Sequence, residues 1–190
     1  VLGDDADAQA RCRTILTDAS ADPEMVAAAT MAVAATGDEA DYEHFRQSFL
    51  TAATPQEQLR FLYALAEFHD ADLMNRTVEF AFSNDVRTSN APFLLNRCLA
   101  NRWHGDAVWN ALRQRWAEAN DRFPANTIVR MVDPVKLLTK PDLAADVQSF
   151  FAEHPIPQGA KTLDQILERQ RVNTAMHARE HDRFGAELLS

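Results

Sequence analysis

Signals that start and stop α-helices recur so closely along this chain that most of its helices must be short. Asp22-Pro23 sets a capping carboxylate directly before a proline at the first helical position, and Gly37 follows as a stop. Thr54-Pro55-Gln56-Glu57 reads as a capping box, in which the Thr54 hydroxyl takes the Glu57 amide proton and the Glu57 carboxylate reaches back. Thr162-Leu163-Asp164-Gln165 repeats the box with glutamine, and Thr139-Lys140-Pro141-Asp142 is a looser version. Between these signals the spacing predicts about ten helices, over 5–18, 23–36, 39–52, 55–68, 70–82, 90–102, 105–122, 125–132, 141–153 and 160–183. Apolar stripes support them. Trp109, Leu112, Trp116, Ala119 and Phe123 share one helix face, and Leu59, Leu62, Tyr63 and Ala66 share another, both read as core. The expected fold is all-α, with short antiparallel helix pairs stacked as a HEAT-like α-α superhelix and no strict sequence period. Glu153 to Gly159, with its two prolines, reads as the clearest loop.

Composition agrees with that reading. Alanine occupies 32 of 190 positions while Gly (5) and Tyr (2) are scarce, which points away from a β-sandwich. The length fits one domain or a large piece of one. A net charge of −9 disfavours nucleic-acid and anionic-membrane partners, both of which need clustered Lys and Arg. The longest uncharged run, Met25 to Gly37, is too short to span a bilayer. Val1-Leu2-Gly3-Asp4-Asp5 lacks the basic start and apolar core of a signal peptide, and no initiator Met precedes it, so a trimmed fragment is expected. Cys12 and Cys98 form no C-x-x-C pair, which favours a reducing compartment, and the chain is expected to be cytoplasmic. The sequon Asn75-Arg76-Thr77 carries no weight by itself.

Few residues announce chemistry. His177-Ala178-Arg179-Glu180-His181 has the H-x-x-E-H spacing that places two imidazoles on one zinc. A third ligand is lacking, with only Glu187 downstream, so the run reads as a solvated helix end. H-E-x-x-H, G-x-S-x-G, a Walker loop and G-x-G-x-x-G are all absent, and His44, His69, His104 and His154 are scattered singly. Asp85-Val86-Arg87-Thr88-Ser89-Asn90 is a polar connection between two apolar helices. Arg87 there, with Arg97 and Arg102 on the next helix, could pair with a carboxylate or serve helix ends and ion pairs.

The order of several segments resembles the C-terminal helical domain of the aminopeptidase N family of zinc metallopeptidases, the ERAP-like C-terminal domain. The helix Leu73 to Ala81 leading into Asp85–Asn90 is similar to the family's L-x-R-x-L-x-x-A-x-(x)-V-R-x-Q-D. Asn101-Arg102-Trp103-His104-Gly105-Asp106-Ala107-Val108-Trp109, with Trp116 following, resembles N-x-x-G-R-x-x-A-W and a later W. Leu138-Thr139 before Pro141-Asp142-Leu143 is similar to F-S-T-x-x-x-L. Phe150-Phe151-Ala152-Glu153-His154-Pro155 matches F-F-x-x-H-P, and Gly159 to Asn173 resembles G-x-R-x-L-x-Q-x-L-E-x-x-x-x-N. The likeness runs from about residue 8 to the end. Ser89-Asn90 stands in place of Gln-Asp, Asp106 in place of Arg, and Leu138 in place of Phe. Alanine- and arginine-rich composition and the Pro157-Gln158-Gly159-Ala160 wording suggest an actinobacterial member.

The resemblance implies that residues 1–190 are the back part of that helical domain, with the catalytic domain absent. In the family, the zinc helix and the exopeptidase loop lie upstream, and the intact enzyme removes N-terminal residues from peptides. The helical domain closes over the catalytic domain and walls the peptide chamber. On this resemblance the chain has no catalytic residue and no metal or cofactor of its own. Zinc belongs to the parent's catalytic domain, and the partners are that domain and a peptide. Arg87, Arg97 and Arg102 are then the candidates for substrate contact. A reading of a different class is a stand-alone HEAT-like scaffold that binds a protein partner in its groove.

Overall fold

Capping side chains mark the helix starts in the first half of the chain. A computed structural model describes residues 5–18 and 20–188, with 181, 182 and 184–188 described as backbone only. Those residues form eleven α-helices: α1 Ala6–Thr17, α2 Pro23–Thr36, α3 Glu39–Thr51, α4 Pro55–Ala64, α5 Ala71–Ala81, α6 Ala91–Ala100, α7 Gly105–Gln114, α8 Trp116–Arg122, α9 Ala125–Met131, α10 Pro141–Glu153 and α11 Ala160–Leu188. No strand occurs among the described residues, so the all-α expectation holds. Asp22 accepts the Glu24 amide at 2.8 Å, and Thr54 accepts that of Glu57 at 3.2 Å. A complete capping box forms where no Glu or Gln advertises one: Asp38 accepts from the Asp41 amide while Asp41 accepts from that of Asp38.

Several boundaries differ from expectation, and α11 runs to Leu188 where 183 is expected. Residues 105–122 form two helices, α7 and α8, broken at Arg115, whose backbone sits at φ −103° and ψ 17°. The stripe Trp109, Leu112, Trp116, Ala119 and Phe123 is nevertheless buried throughout, so packing survives the break. After α4 the chain tightens into a 3-10 turn at Leu65–Glu67, and further 3-10 turns form at Asp133–Leu137 and Pro157–Gly159. The last runs directly into α11, which leaves Thr162 inside the helix instead of capping it. A close approach explains the junction: a Cβ on Gly159 would lie 2.6 Å from the Val129 Cβ, so only glycine lets these backbones meet.

The chain divides into two compact units, residues 1–87 and 88–190. In the first, α1 packs on α2, α3 on α4, and the Leu65–Glu67 turn on α2, α3 and α5. Its core carries Tyr42, Phe45, Phe68 and Leu62, with Tyr42 and Phe68 edge to face at 5.3 Å. Thr77 is fully buried; its hydroxyl lies 2.9 Å from the Leu73 carbonyl and 3.2 Å from both the Leu65 carbonyl and the Tyr42 hydroxyl.

In the second unit, α6 packs on α7, α9 and the 133–137 turn, and α11 runs along that same turn and α10. Trp109, Trp116, Phe150 and Phe151 form one aromatic cluster with centroids 5.3–5.7 Å apart. The F-F-x-x-H-P run acquires a structural meaning here. His154 stacks on Phe150 at 4.2 Å, and its Nδ1 lies 2.9 Å from the Phe150 carbonyl at the end of α10. Gln170, fully buried, donates to the Val135 and Leu138 carbonyls at 3.0 and 3.2 Å and accepts from Gln148 at 2.9 Å. Asp146 accepts from the Trp109 indole at 2.8 Å and pairs with Arg113. Burial pushes the Asp146 carboxyl up, but those two bonds outweigh it and hold it below its usual range.

Candidate functional site

The three arginines singled out from sequence occupy exposed positions. Arg87 ends the first unit, beyond α5. In the second unit, Arg97 lies in the last turn of α6 and Arg102 two residues past its end. The fold thus gathers Arg97 and Arg102 at one end of α6, while Arg87 belongs to the other unit. The Arg102 guanidinium lies 4.8 Å over the ring of Trp103.

Trp103 itself is a residue that sequence reasoning missed. Asn101 builds the turn that carries it: its Oδ1 accepts the Trp103 amide at 2.9 Å and the His104 amide at 3.2 Å, and its carbonyl accepts that of Gly105 at 2.8 Å. Gly105 opens α7 in a space where a Cβ would sit 2.7 Å from the Leu99 carbonyl oxygen. The available sequence signal is the Asn101-to-Gly105 frame, one residue longer than the quoted N-x-x-G, which fixes a turn and so presents the residues between its ends.

The densest set of charges on aromatic faces lies in the first unit, around Arg76 on α5. Arg76 donates to Glu39 at 2.8 Å and pairs with Glu43, both on α3, while its guanidinium lies 4.9 Å over the Tyr42 ring. One turn along, Arg46 lies 5.1 Å over the Phe80 ring and 3.5 Å from Glu43. Burial alone would lower the Arg76 guanidinium, but the hydrogen bond and charge of Glu43 outweigh it and hold the cation above its usual value. Clefts of about 520 and 530 Å³ flank Arg76, one towards Arg46 and Asp85, the other towards Asp38 and Asp72. Arg76 is the arginine of the quoted L-x-R segment. Its partners lie more than thirty residues away, so sequence spacing could not reveal the ladder.

His177 and Glu180 lie on α11, whereas the His181 and Glu187 side chains are outside the described residues. Among the described residues, no group of three or more His, Cys, Asp or Glu is placed to hold a metal.

Comparison with known proteins gives this helical architecture its family. The model of the ERAP1-like C-terminal domain matches residues 2–172. Aminopeptidase M1-A of Oryza sativa subsp. japonica is 29% identical over 135 residues, covering 70% of this chain and 15% of that protein. Aminopeptidase M1 of Arabidopsis thaliana is 27% identical over 151 residues, covering 76% and 16%. Aminopeptidase 2, mitochondrial, of Saccharomyces cerevisiae is 25% identical over 140 residues, covering 71% and 14%. The chain belongs to the ERAP1-like C-terminal domain family. It spans about one sixth of the length of the curated relatives it matches.

Proposed function

We propose that this chain is the non-catalytic C-terminal helical part of a zinc aminopeptidase of the aminopeptidase N type. Residues 1–190 would form the back part of that domain, its helix pairs stacked in HEAT-like fashion. The domain caps a separate catalytic domain and walls the chamber in which peptides lose their N-terminal residues. The observation that carries this reading is the family match over residues 2–172, together with aminopeptidase relatives in which the stretch aligned to this chain makes up about one sixth of the length. Zinc belongs to the catalytic domain and would supply an activated water there. The described residues include no helix long and apolar enough to cross a membrane. A cytoplasmic location is part of the same proposal.

The test starts from the gene. The reading frame is expected to continue upstream into an H-E-x-x-H helix, and its full product to hydrolyse aminoacyl amides in a chelator-sensitive way. The 190-residue chain alone should not. Chelator-sensitive turnover by the chain alone, or a frame that opens at Val1, would overturn the reading and leave a HEAT-like interaction scaffold.

For Arg87, Arg97 and Arg102 the proposed role is contact with a peptide carboxylate. Each Ala variant of the full product should raise KM for peptides with a free C-terminus roughly tenfold, as for a lost charge-assisted hydrogen bond. C-terminally amidated peptides should be unaffected. An equal change for both kinds of peptide would rule the contact out.

A further inference from the structure

Two adjoining turns of the second unit present large apolar side chains to solvent. Trp103 is 56% exposed and Leu137 is 53% exposed, whereas Trp109 and Trp116 are buried. The turns touch: Gly105 faces Leu138, and Lys140 pairs with Asp106. Both are held rigidly. Asn101 fixes the first turn through its side-chain and backbone bonds. The second is tied to α11 by Gln170, which binds the Val135 and Leu138 carbonyls, and by Asn173, which donates to the Lys136 carbonyl at 2.8 Å.

An indole carried on a hydrogen-bonded turn, with a guanidinium over its ring, has part of the ordering that binding demands. Such side chains make interface anchors, because little further entropy is lost when they are covered. Lys136 and Lys140 are neutralised within this surface by Asp133 and Asp106.

We propose that the Trp103–Leu137 surface docks this domain onto the remainder of the longer protein. The partner there is an apolar pocket that takes the indole and Leu137. This rests on the reading that the chain belongs to a longer aminopeptidase. Relatives carry about five sixths of their length outside the matched stretch, and that mass has to meet some face of this domain. Two other exposed apolar side chains of this unit, Val172 and Met176, sit at or beyond the end of the family match at 172, while Trp103 and Leu137 lie well inside it.

The experiment is a melting comparison in the full product of the reading frame. Trp103→Ala and Leu137→Asp are each expected to lower its melting temperature by several degrees, and Trp103→Phe to retain most of it. Because both side chains are exposed, the same changes should leave the melting of the 190-residue chain within about a degree. Unchanged melting of the full product in both variants overturns the docking surface, as does an equal fall in the isolated chain. Failure of the aminopeptidase reading is separately visible as absent aminoacyl-amide hydrolysis by the unaltered full product.

Discussion

Gln170 shows how a single polar side chain organises the second unit. Its amide sits with no exposure at the crossing of α11 and the 133–137 turn and satisfies two carbonyls that helix geometry leaves open. Replacement by Leu keeps the volume but strands both acceptors, and each buried orphan costs about 1–3 kcal/mol. We expect Gln170→Leu to lower stability by at least about 2 kcal/mol in urea unfolding; a loss under about 0.5 kcal/mol would mean water replaces the amide. Neither Gln170 nor the contacts of Thr77 with Tyr42 and Leu65 could be recognised from sequence, since those partners lie far off in the chain or outside the helix. Arg76 was hidden for the same reason, its aromatic and acidic partners arriving only when α3 folds beside α5. Arg102, by contrast, was picked out by type, though not its stacking on Trp103.

At the scale of elements, starts were more legible than ends. Prolines at the first helical position located α2, α4 and α10 within a residue, with Asp22 and Thr54 capping the first two. What the local code could not carry was the 3-10 tightening after α4 and before α11, because Gly159 against Val129 is a tertiary demand. The most lightly held helix is α1, which has no buried residue. Besides its packing on α2 it is joined to α3 by Arg13, whose two terminal nitrogens donate to Asp41 at 2.6 and 2.7 Å. That bond holds the Asp41 carboxyl below its usual range. The folded pKa is therefore lower than the unfolded one, so the tether acts fully above the ordinary carboxylate range and is lost as pH falls through the lower folded value. The pair is partly exposed, which limits its worth to about 1 kcal/mol or less. Hydrogen exchange of α1 amides should accelerate on acidification ahead of the α4 core. Arg13→Gln should reproduce that loosening at neutral pH; unaltered protection of α1 in this variant would show the tether idle.

Taken over the whole molecule, the net charge of −9 is unevenly shared. Residues 1–87 carry 16 acidic and 6 basic side chains, a net −10, while residues 88–190 carry 12 and 13, a net +1. Three of the six arginines in the first unit, Arg13, Arg46 and Arg76, are already paired with carboxylates. Self-repulsion therefore burdens one unit alone. Adding salt to about 0.5 M, where the Debye length falls to a few ångströms, should slow hydrogen exchange in α2–α5 and leave α6–α10 nearly unchanged. An equal response in both units would contradict this. The division also has a practical reading. A protease site introduced after the exposed Arg87 would yield one fragment that an anion-exchange resin retains strongly and one that it barely holds. Whether the two halves elute together or apart then reports, without any label, how firmly they associate.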